Sequence, residues 1–139
     1  ALLTEYLTKG GKLLLSTDHF STIDAQWAKE NLHAAYYAAK ATRSGRVSSP
    51  RHRLYQLILE PNDEQIFTCT PEGLKTTDTT AIRMATYEDM RCGAAVGYRG
   101  QKSKTLVYGF PLEAIQDFEK IYKHSIEWLI YEEKEPSDF

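Results

Sequence analysis

The sequence lacks the features that mark a zinc protein, a membrane-spanning protein or a nucleic-acid-binding protein. Its two cysteines, Cys69 and Cys92, stand far apart with no CxxC motif or Cys/His cluster beside them, so no zinc site is expected. No apolar run approaches the roughly 18 residues of a membrane-spanning helix. A net charge of −2 with dispersed basic residues offers little of the basic surface that polyanions need. We therefore expect neither membrane insertion nor a nucleic-acid partner.

The chain also has no signal peptide and no initiator Met, and it opens inside an apparent helix. We therefore expect a fragment of a longer protein. Its 139 residues, 42% hydrophobic and 26% charged, suit a single domain spanning residues 1–139 that can bury a core. The two cysteines do not settle the redox compartment, so their own redox state stays open.

The first part of the chain alternates between helix and strand signals. Apolar residues at helical spacing are followed by Gly10, which supplies the left-handed residue that ends a helix. The continuous apolar run Leu13–Leu15 is typical of a strand covered on both faces. Ser21 begins an S-x-x-D pattern that predicts a helix N-cap, and apolar residues at helical spacing follow it as far as Leu32.

The rest of the chain predicts strands, turns and one final helix. We expect a break near His33, a polar loop over residues 40–53, a turn at 71–73 and a long amphipathic helix after Ile115. Strands are predicted at residues 34–39, 54–59, 65–69, 81–85, 94–98 and 105–110, the second with the third and the last two as hairpins. For residues 34–39 the alternative is a continuation of the preceding helix. A complete doubly wound domain needs more βαβ crossovers than this pattern holds, so strands are expected to be missing on the N-terminal side.

Three segments of the sequence resemble a known family: residues 6–16, residues 71–75, and residues 94–100 continued by 105–115. They are similar to the C-terminal part of the flavodoxin-like, class I glutamine amidotransferase-like domains of secreted bacterial proteins that are called xanthan lyase-like. The resemblance implies an α/β, partial flavodoxin-like three-layer fold with a mixed sheet, an antiparallel C-terminal portion and a long C-terminal helix. It also implies a secreted, periplasmic or cell-surface location and a parent protein that handles polysaccharide.

The positions that are catalytic in glutamine amidotransferases carry other residues here. The family places a Cys after the strand at the elbow, where this sequence has Ser16 or Thr17. Its Phe-His-Pro-Glu-type segment corresponds to residues 109–113, which keep a proline and Glu113 but have no histidine. Because thiolate attack needs a Cys and a nearby base, the comparison implies a non-catalytic scaffold or interaction domain with no cofactor. Ser16 and Thr17 are then candidates only for ligand binding.

A second hypothesis places chemistry at the same edge of the sheet. Asp18, His19 and Glu113 are expected at the carboxyl ends of neighbouring strands, where they could act as the acid and base of a polysaccharide hydrolase or lyase. In the structural alternative, Asp18 and His19 bond to loop backbone and Glu113 caps the final helix. No metal is expected, because the spacing of these three residues matches no recognised ligand pattern.

A third hypothesis is carbohydrate binding without chemistry. Tyr36, Tyr37 and Tyr87 are the candidates for an exposed aromatic patch, with Tyr36 and Tyr37 as the candidate ligand-binding rings, since an exposed tyrosine presents an apolar face beside a polar tip. The Leu13–Leu15 strand is expected to lack one neighbour, and an exposed strand edge tends to pair with another chain. The expected partners are therefore a polysaccharide, other domains of the parent protein, or a second copy in a homo-oligomer.

Overall fold

The computed structural model describes residues 2–42, 44–49, 54–58, 71–100, 103–116 and 118–130. These residues form three α-helices, eight strands and two 3₁₀ turns, at Phe20–Thr22 and Leu112–Ala114. The helices are α1 (Leu2–Thr8), α2 (Ala25–Asn31) and α3 (Phe118–Ile130). The strands are β1 (Lys12–Ser16), β2 (Ala34–Ala38), β3 (Arg46–Ser49), β4 (Leu54–Ile58), β5 (Gly73–Thr76), β6 (Ala81–Tyr87), β7 (Gly93–Arg99) and β8 (Lys104–Tyr108).

The eight strands of the described residues belong to one mixed sheet. Six of them follow the order β1-β8-β7-β6-β3-β4, while β5 pairs with both β2 and β7. β1 and β8 run parallel, with Leu14 opposite Leu106. The other pairs within the described ranges are antiparallel, including the predicted hairpin β7–β8, in which Val96 lies opposite Val107. The predicted mixed α/β class, the antiparallel portion and the C-terminal helix are confirmed.

Helices cover both faces of the sheet, so the fold has three layers. Along β1, Leu14 packs against one apolar core, whereas Leu13 and Leu15 pack against the other. This alternation explains the continuous apolar run, because a strand covered on both faces needs apolar residues at every position. The first core holds Ile121, Trp128 and Leu129 of α3 with Leu106 and Tyr108 of β8; the second holds Phe20, Ala28 and Leu32 with Val96 and Val107.

The connection from α1 to β1 is built on two glycines and a tyrosine. Gly10 has a φ of 95°, and its N–H donates to the Leu7 carbonyl while the Gly11 N–H donates to the Tyr6 carbonyl. This pair of bonds is the Schellman arrangement that ends helices at a left-handed residue, so the predicted stop at Gly10 is confirmed. The Tyr6 ring covers Gly11 so closely that a Cβ there would overlap it.

The predicted start of α2 was wrong by three residues. Asp24, not Ser21, is the N-cap, because its carboxylate accepts a hydrogen bond of 2.8 Å from the Trp27 N–H. Ser21 lies in the preceding 3₁₀ turn. The predicted break near His33 is confirmed: this residue has a φ of 56° and turns the chain from α2 into β2.

Two strands fall where the sequence predicted none. β3 lies inside the stretch assigned to a polar loop, and β5 begins at Gly73, the last residue assigned to a turn. β3 pairs with β4 and β6, and Val47 is fully buried. Neither segment alternates between apolar and polar residues, which is the pattern that identifies a strand from the sequence alone. Each strand is stabilised instead by its neighbours in the sheet. The strand predicted at residues 65–69 lies outside the described residues.

Candidate functional site

The carboxyl ends of the parallel strands β1 and β8 meet a third segment of the chain. The Thr17 N–H donates to the Tyr108 carbonyl at 3.2 Å, which continues the β1–β8 pairing past the end of β1. The Glu72 N–H donates to the Gly109 carbonyl at 2.8 Å. Because ligands bind at this edge in open α/β sheets, residues 16–21, 72 and 109–113 are defined as the carboxyl-edge site.

The loop after β1 is held by its own polar groups. The Thr17 hydroxyl accepts the His19 N–H at 2.9 Å, and the Thr22 hydroxyl donates to the His19 carbonyl at 2.7 Å. Hydroxyl contacts of this local kind stabilise turns. Ser16 is the last residue of β1 and is half-buried. The Thr17 hydroxyl therefore stabilises the turn before the 3₁₀ turn, and the Thr22 hydroxyl joins the 3₁₀ turn to the residue that precedes it.

Asp18 and His19 lie together at the surface of this loop. The Asp18 Oδ1 and the His19 Nε2 are 3.3 Å apart, and the two side chains are 18% and 76% exposed, respectively. A pair with one partner so exposed interacts through water, which screens the attraction and weakens the coupling between the groups.

Glu113 lies after β8, as predicted, but in the 3₁₀ turn Leu112–Ala114 and not at the start of α3. Its side chain is exposed. Since α3 begins at Phe118 with Glu119 in its first turn, the interpretation of Glu113 as a cap of the final helix is wrong. The sequence thus placed Asp18, His19 and Glu113 after the correct strands, but the structure gives Glu113 a separate short turn.

The structure adds a residue that sequence reasoning missed, the buried acid Glu72. Glu72 is only 4% exposed. Its carboxylate accepts hydrogen bonds from the Ser21 N–H at 3.3 Å and from the Ser21 hydroxyl at 2.7 Å. Its carbonyl accepts the Tyr87 hydroxyl at 2.8 Å. Hydrogen bonds to a carboxylate offset part of the free energy lost when it leaves water. Nothing local in residues 71–73 distinguishes this acid from an ordinary turn residue, because its partners are distant in sequence.

A second polar cluster, also unpredicted, joins the α2–β2 connection to the β5–β6 turn. The His33 Nδ1 and the Asp78 Oδ2 are 2.8 Å apart, and the His33 ring stacks on Tyr98 with ring centroids 3.6 Å apart. The other oxygen of Asp78 accepts the Thr80 N–H at 2.9 Å and the Thr80 hydroxyl. The hydrogen bonds from Thr80 and His33 lower the pKa of Asp78 to about 2, so the carboxylate is charged at neutral pH.

Two of the three candidate aromatic residues, Tyr36 and Tyr37, lie in β2; the prediction of an exposed Tyr87 was wrong, because this last residue of β6 is fully buried. Tyr36 is 40% exposed and Tyr37 is 61% exposed. The β2–β5 pairing shifts register between Tyr36 and Ala38, so Tyr37 lies at an irregularity where the regular alternation of strand faces is interrupted. Tyr37 lies near Gly73, where a Cβ would come within 3.5 Å of its ring.

The described part of the chain offers no set of three His, Cys, Asp or Glu side chains that could hold a metal ion. Cys92 is buried, and this burial raises the pKa of its thiol. A thiol in such surroundings is a poor nucleophile because the thiolate is the reactive form. Cys69 lies outside the described residues. Among the residues that are described, no helix is long and apolar enough to cross a membrane.

Comparison with known proteins adds no family to this geometry: no protein-family model matches the chain, and no curated protein matches it. The predictions about function therefore rest on the residues and contacts described above.

Proposed function

We propose that the chain is a non-catalytic interaction domain. The observation that carries this proposal is the state of the carboxyl-edge site: the buried Glu72 carboxylate is bonded to Ser21, and the Thr17 hydroxyl is bonded within its own turn. The polar groups nearest the strand ends thus stabilise the loop. Together with the absence of Cys at Ser16 and Thr17, this geometry favours a structural edge over a catalytic one.

The resemblance to xanthan lyase-like proteins extends this proposal to a biological setting. In that setting the domain belongs to a larger secreted, periplasmic or cell-surface protein that handles polysaccharide, and it positions other domains of that protein. Its fold supplies a rigid scaffold because both faces of the sheet are covered by helices and two apolar cores.

The competing hypothesis, a polysaccharide hydrolase or lyase, uses Asp18, His19 and Glu113 as acid and base. The test is the combined variant Asp18→Asn, His19→Ala, Glu113→Gln in the full-length protein, assayed against candidate polysaccharides. These side chains are at least partly exposed, so the variant is expected to fold normally, which circular dichroism checks. Under the proposal, turnover by the full-length protein is unchanged or is absent in both forms. Loss of turnover in a folded variant would show that this edge is catalytic.

Carbohydrate binding is the second candidate, and the exposed rings of Tyr36 and Tyr37 favour it. Aromatic rings on a surface can contact the apolar faces of sugars. A glycan array probed with the chain tests this function, with Tyr37→Ala as the variant. Tyr122→Ala is the matched control, because Tyr122 is 50% exposed and lies on α3. Binding lost with Tyr37→Ala and retained with Tyr122→Ala would support this candidate; an array without signal would exclude it for the glycans tested.

A further inference from the structure

The exposed apolar surface of the described residues is concentrated beside one edge of the sheet. Of the nine large hydrophobic side chains that are well exposed, six belong to α1 or α3. α3 contacts β1, and the Tyr6 hydroxyl of α1 bonds to the backbone of Lys12 in β1. We call this region the β1-edge surface; it comprises the outer edge of β1 and the side chains of Leu2, Leu3, Tyr6, Phe118, Tyr122 and Ile130. Since α1 bonds to Trp27, which packs on the second core, and α3 belongs to the first core, these side chains flank β1 from the two faces of the sheet.

Among the described residues, the outer backbone edge of β1 has no paired strand over a short, defined length. In a parallel pair, alternate residues bond to the neighbour, and the bonds of Gly11 and Thr17 to β8 place the odd-numbered residues on that side. Leu14 and Ser16 therefore direct their N–H and C=O groups away from β8. β1 is the terminal strand on that side of the sheet within the described ranges. The Tyr6 hydroxyl donates to the Lys12 carbonyl at 2.9 Å and accepts the Lys12 N–H at 3.0 Å, which closes the edge at its first residue.

The apolar flank of α3 overhangs this edge. Trp128 marks the opposite flank, because it contacts Gly97 of β7 and its carbonyl accepts a hydrogen bond from Arg99. A stripe of residues spaced four apart lies on the flank of α3 away from Trp128, next to the buried face. It consists of positions 118, 122, 126 and 130. Phe118, Tyr122 and Ile130 in this stripe are 42%, 50% and 50% exposed. The stripe therefore lies toward β1, beyond the region that the chain's own sheet covers.

We propose that the β1-edge surface binds a second copy of this chain, with β1 of each copy pairing antiparallel across a two-fold axis perpendicular to the sheet. This inference rests on the proposed function as an interaction domain and names its partner. Leu14 of one copy pairs with Ser16 of the other, which gives a ladder of two residue pairs that ends where Tyr6 closes each edge. In that register Lys12 of one copy and Asp18 of the other lie just beyond the two ends of the ladder, so opposite charges flank the paired residues.

The spacing of the helices fits the same arrangement. α3 contacts both β1 and β8, so its axis lies above the gap between them. Pairing β1 with its copy puts the two α3 axes two strand spacings apart, about 9.6 Å. Packed helices have axes roughly 8–10 Å apart. A two-fold axis perpendicular to the sheet keeps both α3 helices on one face, so their apolar stripes meet, and a closed isologous interface results.

The test is the oligomeric state in solution, measured by sedimentation velocity or light scattering at concentrations up to about 100 µM. The proposal expects a particle of twice the 15.9 kDa chain mass. Tyr122→Glu is expected to weaken the dimer roughly 10- to 100-fold, because the charge enters the interface once from each copy. The control is Met90→Glu, since Met90 is 54% exposed on the turn between β6 and β7, and it is expected to leave the dimer intact.

Amide hydrogen exchange then tests the pairing itself. In the dimer the Leu14 and Ser16 amides are protected, and Tyr122→Glu at low concentration restores their fast exchange, while the Leu13 and Leu15 amides stay protected in both. A monomer with fast exchange at Leu14 and Ser16 would overturn the inference. The partner of the β1 edge would then be a strand of a different sequence. That result is independent of the turnover assay, so this inference and the proposed absence of catalysis fail separately.

Discussion

Gly109 offers the sharpest test of how the carboxyl-edge site is assembled. A Cβ at this position would overlap the Glu72 carbonyl, and its next neighbour would be the Tyr87 hydroxyl at 3.3 Å. The Glu72 backbone cannot move aside freely, because its N–H bonds to the Gly109 carbonyl and its own carbonyl accepts the Tyr87 hydroxyl, both at 2.8 Å. Gly109→Ala therefore forces these contacts apart.

The expected cost follows from the contacts that are lost. Two hydrogen bonds at about 1 kcal/mol each, with an overpacking cost of about 1–3 kcal/mol, lower the free energy of unfolding by roughly 3–5 kcal/mol. For a chain of this size the midpoint of thermal unfolding falls by roughly 6–20 °C. Differential scanning calorimetry measures the shift, and urea unfolding measures the free energy independently.

Gly73→Ala is the matched control, because it makes the same chemical change one residue after Glu72. There the nearest atoms to an added Cβ are the Cys92 Sγ at 3.3 Å and the Ala41 Cβ at 3.4 Å. The Cys92 side chain needs to shift by only a few tenths of an ångström, and the distance to Ala41 is close to ordinary van der Waals contact, so the free energy of unfolding is expected to change by less than about 1 kcal/mol. Equal stability of the Gly109→Ala and Gly73→Ala proteins would refute the close approach of residues 72 and 109.

Three further predictions concern local contacts. Asp24→Ala is expected to lower the free energy of unfolding by about 1 kcal/mol through loss of the α2 N-cap, while Asp24→Ser retains most of it in urea unfolding. The pKa of Asp78 is lowered from 3.8 to about 2, so its contribution to stability is full above the unfolded pKa and is lost as the pH falls toward 2. The free energy of unfolding, measured with urea across this pH range, should depend less steeply on pH in Asp78→Asn than in the unmodified protein. An identical slope in the two proteins would contradict the lowered pKa of Asp78. Tyr6→Phe removes the hydroxyl that makes both hydrogen bonds to the Lys12 backbone, so it is expected to speed hydrogen exchange of the Lys12 amide. An unchanged exchange rate would show that water replaces the hydroxyl equally well.

Part of the candidate site followed from local sequence. The helix stop at Gly10, the apolar run of β1 and the polar residues after it placed Ser16, Thr17, Asp18 and His19 at a strand end. The second half of the same edge, after β8, was also anticipated, since the β7–β8 hairpin has two apolar runs around a turn. These predictions depended on neighbours within a few residues, for which periodicity and turn chemistry are informative.

The partners of those residues could not be predicted in the same way. Ser21 bonds to Glu72, 51 positions away, and His33 bonds to Asp78, 45 positions away. No local pattern distinguishes a buried Glu72 from a turn acid, because its burial depends on β5, β8 and the 3₁₀ turn meeting in space.

The sequence by itself therefore determined the class of the fold, the double-faced character of β1 and the amphipathic C-terminal helix, because each follows from the spacing of apolar residues along one segment. Only the tertiary structure decided that residues 46–49 and 73–76 are strands and that Glu72 completes the carboxyl-edge site. It also decided that α1 and α3 flank the open edge of β1. Strand pairing and the burial of polar groups depend on which distant segments meet, and that choice minimises the free energy of the whole chain.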